Sequence, residues 1–161
     1  MELEERMLGF GTDEELIIKK LEQWAIERGD KTFIYYGEED ETYTYATFNA
    51  LANSFAHHLI QRGIEKGERV SLFLKNSLIT TIAMFGIWKV GAVYCPINFN
   101  YKGRLLSYQI NDTNPKLLIT ERQMVPFINE IKNELPPLPV IIHDPKESDH
   151  DYKLEVASVK L

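Results

Sequence analysis

The sequence predicts an α/β protein: a parallel, helix-covered sheet with an N-terminal helix and a β-hairpin beside it. Helix and strand signals alternate along the chain, and strands joined by single helices form parallel sheets through right-handed crossovers. The candidate strands are short, continuous apolar runs, which indicates burial on both faces. Hydrophobic residues make up 44% of the 161 residues, enough for a real core. We expect four parallel strands, near residues 69–74, 92–96, 116–120 and 140–143.

The N-terminal segment predicts a helix followed by a hairpin. Thr12 and Glu15 have the spacing of a capping box. An apolar stripe at helical spacing follows, made of Ile17, Leu21, Trp24 and Ala25. The segment KTFIYYGEEDETYTY then gives two strands around the acidic turn at residues 37–40.

A second helix is predicted from the segment TFNALANSFAHHLIQRG. Its apolar face consists of Phe48, Leu51, Phe55 and Leu59. Gly63 ends it, and the apolar run from Arg69 to Leu74 is the first buried strand.

The stretch LITTIAMFGIWKVGAVYCPI, residues 78–97, carries one charge, Lys89, and is long enough to cross a bilayer. The helix-capping and helix-ending residues in and beside this stretch instead favour a helix and a strand buried inside a soluble protein. Lys89 followed by Gly91 is typical of a helix C-terminus, and Asn76 and Ser77 are good N-cap residues. We therefore predict a helix from Leu78 to Val90, then a strand that stops at Pro96, and no membrane span.

The C-terminal part continues the alternation. We expect a helix from about Tyr101 to Asn111 and a strand over residues 116–120. Thr120 and Gln123 are spaced as a capping box for the next helix, before the break LPPLP and a last strand, VIIH. We expect one domain, 1–161: a helical segment over about 1–30, an α/β core over 31–143, and a loop and truncated end over 144–161.

Composition excludes several classes. The net charge of −6 and the absence of a basic face argue against nucleic acid as a partner. Cys95 is the only cysteine, so there is no disulfide framework and no thiolate metal site. It is interpreted as a small buried hydrophobe rather than a nucleophile. The start, MELEER, is not a signal peptide, and we expect a cytoplasmic protein.

Ligands of such folds bind at the carboxyl ends of the strands, here residues 75–77, 96–100, 119–122 and 143–145. None of these tracts is a glycine-rich phosphate loop. We therefore assign no catalytic, cofactor-binding or metal residue from the tracts.

The titratable side chains do not form a site in the sequence either. His57 and His58 are adjacent, so they diverge on their helix; His58 is expected at the edge of the apolar stripe and His57 in water. His143, Asp149 and His150 would bind a metal only if their loop folded back. The acidic residues at 38–41 are interpreted as a solvated turn.

Four pieces of the chain, in order, resemble the N-terminal part of adenylate-forming enzymes, the acyl-CoA synthetase family. They are TYTYATFNALANSFAHHL, GIEKGERVSLFLKNS, IWKVGAVYCPIN and LLSYQINDTNPKLLIT. The resemblance spans roughly Leu16 to His143, and within the family it is strongest to ligases of the crotonobetaine/carnitine type. It implies that the chain is the first subdomain of a longer ligase.

The resemblance also implies the reaction. A carboxylic acid attacks the α-phosphate of ATP to give an acyl-adenylate and pyrophosphate, and coenzyme A then takes the acyl group. ATP, Mg²⁺, CoA and a small-molecule carboxylic acid are thus implied for the full-length enzyme. The family's phosphate loop, Mg²⁺-binding acid and catalytic lysine lie beyond residue 161, so no residue is carried over and the fragment itself is expected to be inactive.

Two positions depart from the family pattern. Thr47 stands where a glutamate often completes the capping box with Thr44, so we expect half a box. Gly103 and Arg104 stand where the family usually has an acidic residue opening a helix.

Other interpretations stay open: a free-standing doubly wound nucleotide- or acyl-binding module, or part of an adenylation domain that loads a carrier protein. The helix 78–90 has almost no polar side. We expect Ile79, Ile82, Phe85 or Trp88 to be partly uncovered and to allow self-association.

Overall fold

The computed structural model describes residues 16–37, 40–75 and 77–143. The elements in chain order are α1 (Ile17–Glu27), β1 (Thr32–Tyr36), β2 (Glu41–Thr44), α2 (Tyr45–Gln61), β3 (Arg69–Phe73), α3 (Leu78–Val90), β4 (Val93–Pro96), α4 (Gly103–Thr113), β5 (Leu117–Glu121), α5 (Val125–Ile131) and β6 (Val140–His143). Short 3₁₀ turns, Arg122–Met124 and Lys132–Glu134, flank α5. The predicted capping residues Thr12 and Glu15 lie outside the described residues.

Four strands form a parallel sheet in the order β4-β3-β5-β6, and β1 and β2 form a separate antiparallel hairpin. This confirms the predicted fold class. The chain steps from β3 to β4 in one direction across the sheet and then in the other direction to β5 and β6. Right-handed crossovers therefore require α3 on one face and α4 and α5 on the opposite face.

The two faces of the sheet have separate apolar cores. Leu72 and Ile119 point toward the layer built by α1, α2, α3 and the hairpin. Phe73 and Leu118, their neighbours along the same strands, point toward α4 and α5. Because β3 and β5 are buried on both faces, their sequences show continuous apolar runs rather than alternation.

Strand β4 lies at an edge of the sheet. The N–H group of Ile97 donates to the carbonyl oxygen of Leu72 (2.8 Å). Because backbone amides alternate in direction along a strand, the nitrogen of the preceding residue, Pro96, faces away from β3. The missing N–H of Pro96 therefore costs no hydrogen bond in the sheet. Cys95 lies on this edge strand and is only half-buried, which corrects the expectation of a buried side chain.

Helix α3 has the predicted bounds, and Gly91 at its end is left-handed (φ 76°), as predicted. The expected apolar patch is wrong for Ile79, Ile82 and Phe85, which are all buried. The reason is that α2 packs across α3 on the side away from the sheet, as the contact of Phe55 with Gly86 shows. Trp88 alone of the four is half-buried.

In the described part of the chain, no helix has the length and apolar character needed to cross a bilayer.

Two capping predictions are corrected by the hydrogen bonds. At α2 the capping box is complete, because the Thr47 hydroxyl accepts from the Thr44 N–H (3.3 Å) while Thr44 Oγ1 accepts from the Thr47 N–H (3.2 Å). Thr120 does not cap a helix: it lies within β5, and its hydroxyl donates to the Phe73 carbonyl oxygen (2.8 Å). Ser77 precedes α3 in an extended conformation without a side-chain cap bond, and Asn76 lies outside the described residues.

Helix α4 begins two residues later than predicted. Lys102 is its N-cap and Gly103 its first residue. Gly103 has a positive φ (49°), and Asn114 ends the helix in the left-handed region (φ 42°). Asparagine tolerates that conformation better than most residues, so the helix extends to Thr113 before the chain turns into β5.

Candidate functional site

The carboxyl ends of the four parallel strands lie at one edge of the sheet, as predicted. Phe73, Pro96, Glu121 and His143 are the last residues of these strands. The described residues of the predicted tracts at the ends of β3, β4 and β5 are thereby brought to this edge. The parallel arrangement of the strands makes the edge the candidate site.

An open groove of about 430 Å³ lies at the ends of β3 and β4. It is lined by Leu72, Leu74, Thr80, Tyr94, Pro96, Ile97, Asn98, Phe99 and Asn100. Five of its residues come from the predicted tract 96–100. The other four, Leu72, Leu74, Thr80 and Tyr94, were not predicted, since they come together only through the β3–β4 pairing and the packing of α3 beside it.

Some of the polar groups of the groove are hydrogen-bonded within the protein. The Thr80 hydroxyl donates to the Lys75 carbonyl oxygen (3.1 Å), and the Asn100 N–H donates to Asn98 Oδ1 (2.9 Å). Burial raises the pKa of the Tyr94 phenol, which therefore stays neutral at physiological pH. Since none of the lining residues is charged, and the lining combines apolar side chains with amide and hydroxyl groups, the groove suits an uncharged group.

A second cluster ties the loop after β3 to the end of β5. The Lys75 N–H donates to Glu121 Oε1 (2.9 Å), and Lys75 Nζ donates to Gln123 Oε1 (2.8 Å). Glu121 is buried, so this backbone N–H partly compensates its carboxylate for the loss of water. The cluster fixes the wall of the groove at Leu74 and Thr80, and no sequence pattern predicts it.

The three histidines in the described part of the chain do not assemble into a site. His57 is exposed on α2, as predicted, and His58, which was expected at the edge of the apolar stripe, is exposed as well. His143 is buried at the end of β6, beside Glu121 in the strand register. Its predicted metal-binding companions, Asp149 and His150, lie outside the described residues.

Cys95 does not have the setting of a reactive cysteine. Burial raises the pKa of its thiol, and the charge of Arg69 opposes this effect more weakly. The net result is a protonated thiol at neutral pH. Its sulfur lies 3.8 Å from the Val93 carbonyl oxygen in the same strand.

The acidic turn of the hairpin is partly described, since residues 38 and 39 lie outside the described ranges. Its last residues are bonded by tyrosines: the Tyr35 hydroxyl donates to Asp40 Oδ1 (2.9 Å), and the Tyr43 hydroxyl donates to Glu41. Within the described ranges, no three His, Cys, Asp or Glu side chains are grouped so that they could hold a metal ion.

Comparison with known proteins gives a consistent result. The AMP-binding enzyme family matches residues 21–160. A medium/long-chain-fatty-acid–CoA/3-oxocholest-4-en-26-oate–CoA ligase of Mycobacterium marinum is 36% identical over 114 residues, which are 71% of this chain and 21% of the relative. The structure of a Mycobacterium tuberculosis fatty acyl CoA synthetase matches with a TM-score of 0.72 at 28% identity, over 86% of this chain and 30% of that chain.

A different relative is a linear gramicidin synthase of Brevibacillus parabrevis. It is 37% identical over 87 residues, which are 54% of this chain and 2% of the relative.

The family match covers all four strands of the described parallel sheet and most of its two helical layers. The chain therefore belongs to the AMP-binding enzyme family. It spans 21% of the length of the fatty-acid–CoA ligase that it matches, and its fold is that of part of a fatty acyl CoA synthetase.

Proposed function

We propose that this chain is the N-terminal subdomain of an ATP-dependent carboxylic acid–CoA ligase, with residues 1–161 forming one unit. The observation that carries the proposal is the match of the chain to the AMP-binding enzyme family together with 36% identity to a fatty-acid–CoA ligase. In the whole enzyme the acid would attack the α-phosphate of ATP and release pyrophosphate. The thiolate of CoA would then displace AMP from the acyl-adenylate and form the thioester.

The described residues do not fit a nucleotide-phosphate or Mg²⁺ site. The groove has no charged lining residue, and the buried carboxylate at the sheet edge, Glu121, is occupied by the Lys75 N–H. We therefore assign ATP and Mg²⁺ chemistry to none of the described residues. The contribution of the described residues is the sheet that carries the groove.

The substrate class is a finer proposal. The relative from Mycobacterium marinum is named for medium- and long-chain fatty acids, whereas the four sequence pieces most resemble ligases of the crotonobetaine/carnitine type. A fatty acid presents an alkyl chain that the uncharged groove can contact, whereas crotonobetaine and carnitine carry a permanent trimethylammonium charge, for which the groove lining offers no carboxylate. We also propose a cytoplasmic location, where ATP and CoA are both present.

The experiment is acid-dependent exchange of pyrophosphate into ATP, with fatty acids of several lengths and crotonobetaine as substrates. We expect the 161-residue chain to show no exchange and the chain extended with its downstream reading frame to show it. Exchange that co-purifies with the 161-residue chain would contradict the proposal. Saturable ATP binding by that chain, with no ligase sequence downstream, would instead establish a free-standing nucleotide-binding module.

The acceptor has a second candidate, a carrier protein in place of CoA. The 37% identity to a linear gramicidin synthase supports this second candidate. The two acceptors separate in the second half-reaction. Release of AMP on addition of CoA supports the ligase, and release only with a carrier domain supports an adenylation domain.

Self-association is also proposed, on a different surface from the one that the sequence indicated. Leu105 and Tyr108 lie one turn apart on α4 and are 61% and 66% exposed. We expect sedimentation velocity at increasing concentration to show dimers that Leu105→Ser reduces. Ile60→Ser, at an exposed position on α2, is the control, and a strictly monomeric parent chain would contradict the proposal.

A further inference from the structure

Helix α1 has the fewest buried residues of the helices that the structure describes. Of its eleven residues only Leu21 is buried, whereas α2 has five buried residues and α3 has seven. Its N-cap, Leu16, provides no side-chain cap bond. Isolated helices shorter than about 12–15 residues are marginal in water, so α1 depends on its contacts with the rest of the protein.

The charges of α1 oppose its own dipole. Lys19 and Lys20 lie near its N-terminus and Glu27 at its C-terminus, the reverse of the stabilising arrangement. The helix therefore has little stability of its own. Its end is attached to α2 by the Ala46 N–H, which donates to the Gly29 carbonyl oxygen (3.1 Å), and by the Trp24 ring against Tyr45 (centroids 5.6 Å apart).

One ion pair joins α1 to α3. Lys89 Nζ donates to Glu22 Oε1 at 2.8 Å, and the Lys89 side chain is only 6% exposed. While α1 is docked, the ammonium has little access to water and depends on this carboxylate. When α1 leaves, water takes the place of the carboxylate, so losing the negative charge on Glu22 favours the undocked state.

We propose that α1 is a strap that undocks and unfolds while the sheet stays folded, with the Glu22–Lys89 ion pair as its latch. Local opening of this kind is drawn from the least buried part of a structure. The strap covers Lys89 at the end of α3, so undocking exposes an ammonium group that has little access to water in the docked state. The latch makes that exposure dependent on the protonation of one carboxylate.

The sign of the pH dependence follows from the charges that face Glu22. They are Lys89 on α3 and Lys19 on α1, whose Nζ lies 3.2 Å from Glu22 Oε2. The hydrogen bond from Lys89 lowers the pKa of the Glu22 carboxyl, burial acts against this, and Lys19 adds to the lowering. The latch is therefore fully formed above the ordinary glutamate pKa and is lost as the pH falls through the lowered pKa.

Hydrogen-exchange protection factors, measured residue by residue on the whole chain, test the strap. At pH 7 we expect Glu22→Gln to reduce protection in α1 by roughly tenfold, as for loss of a charged hydrogen bond, and to leave β5 unchanged. Glu27→Gln is the control for the loss of one carboxylate from α1: Glu27 accepts a hydrogen bond from Gln23 within the helix, and removing its charge from the helix C-terminus is expected to leave α1 protection unchanged or to raise it. Glutamate and glutamine have similar helix propensities, so the pair isolates the latch.

A double variant tests the role of charge. Glu22→Met combined with Lys89→Met replaces the ion pair with an apolar contact, and we expect α1 protection that no longer falls between pH 7 and about 3.5. The inference is overturned if α1 and β5 lose protection together in the parent chain as the pH falls. It is also overturned if Glu22→Gln and Glu27→Gln behave alike.

Discussion

Gly86→Val is expected to lower the free energy of unfolding by about 3 kcal/mol or more. A Cβ atom at position 86 would lie 2.7 Å from Phe55 Cδ1, 3.0 Å from Phe55 Cβ and 3.1 Å from the Ala52 carbonyl oxygen. Both partners belong to α2, and Phe55 and Ala52 are themselves buried. Helices α2 and α3 cannot separate without opening the core between them. The added side chain must therefore either displace α2 or force Phe55 out of its rotamer.

Gly86→Ala gives the sharper test of the same contact. In an exposed helix this change stabilises by roughly 1 kcal/mol, because alanine is the better helix former. Here we expect the opposite sign, a net loss in urea unfolding. For Gly86→Val, the control is Ala50→Val at an exposed position on α2, which measures the cost of a β-branched residue in a helix without the close contact. A Gly86→Ala variant as stable as the parent would show that the helices are not in close contact.

The sequence predicts the sheet well and the packing of its helices poorly. Strand positions follow from local apolar runs, and the end of α3 follows from Lys89 and Gly91, which are neighbours in the chain. Gly86 gives no such signal, since a glycine within a helical pattern only weakens the prediction. Its role depends on Phe55, which is distant in sequence.

The corrected predictions have the same origin. Thr120 has the spacing of a helix cap, but its hydroxyl bonds the Phe73 carbonyl oxygen in the neighbouring strand, so β5 continues to Glu121. The uncovered face expected for α3 is closed by α2. In both cases a contact with a segment distant in sequence decides the outcome: the Thr120 hydroxyl bonds a neighbouring strand, and the apolar face of α3 is covered by α2. Local spacing carries no information about either contact.

The candidate site could be predicted as a place but not as a set of contacts. The rule that ligands bind at the carboxyl ends of parallel strands indicates the correct edge, and the tract 96–100 lines the groove. The bond from the Lys75 N–H to Glu121 could not be predicted. It requires the pairing of β3 with β5, which skips β4 in the chain order.

Phe48→Ala is expected to lower the free energy of unfolding by about 3–5 kcal/mol, the range for removing a fully buried aromatic ring. Phe48 is inaccessible to solvent. Its ring meets Phe33 of the hairpin edge to face at 5.0 Å between centroids and Phe85 of α3 at 5.2 Å. The ring thus joins three elements that no backbone sheet pairing connects, since β1 and β2 form a separate sheet.

Unfolding in urea is followed by two methods. Circular dichroism reports the stability of the whole chain, and hydrogen exchange of the β1 amides reports whether the hairpin stays docked. Phe48→Leu fills most of the space, and we expect it to cost about 1.5 kcal/mol or less. Tyr35→Ala, which removes a ring 62% exposed on the same hairpin, should change stability little. If Phe48→Ala cost no more than Tyr35→Ala, the ring cluster would not hold the hairpin. Exchange in β1 that rises before global unfolding would show that the hairpin is held by these rings rather than by the sheet.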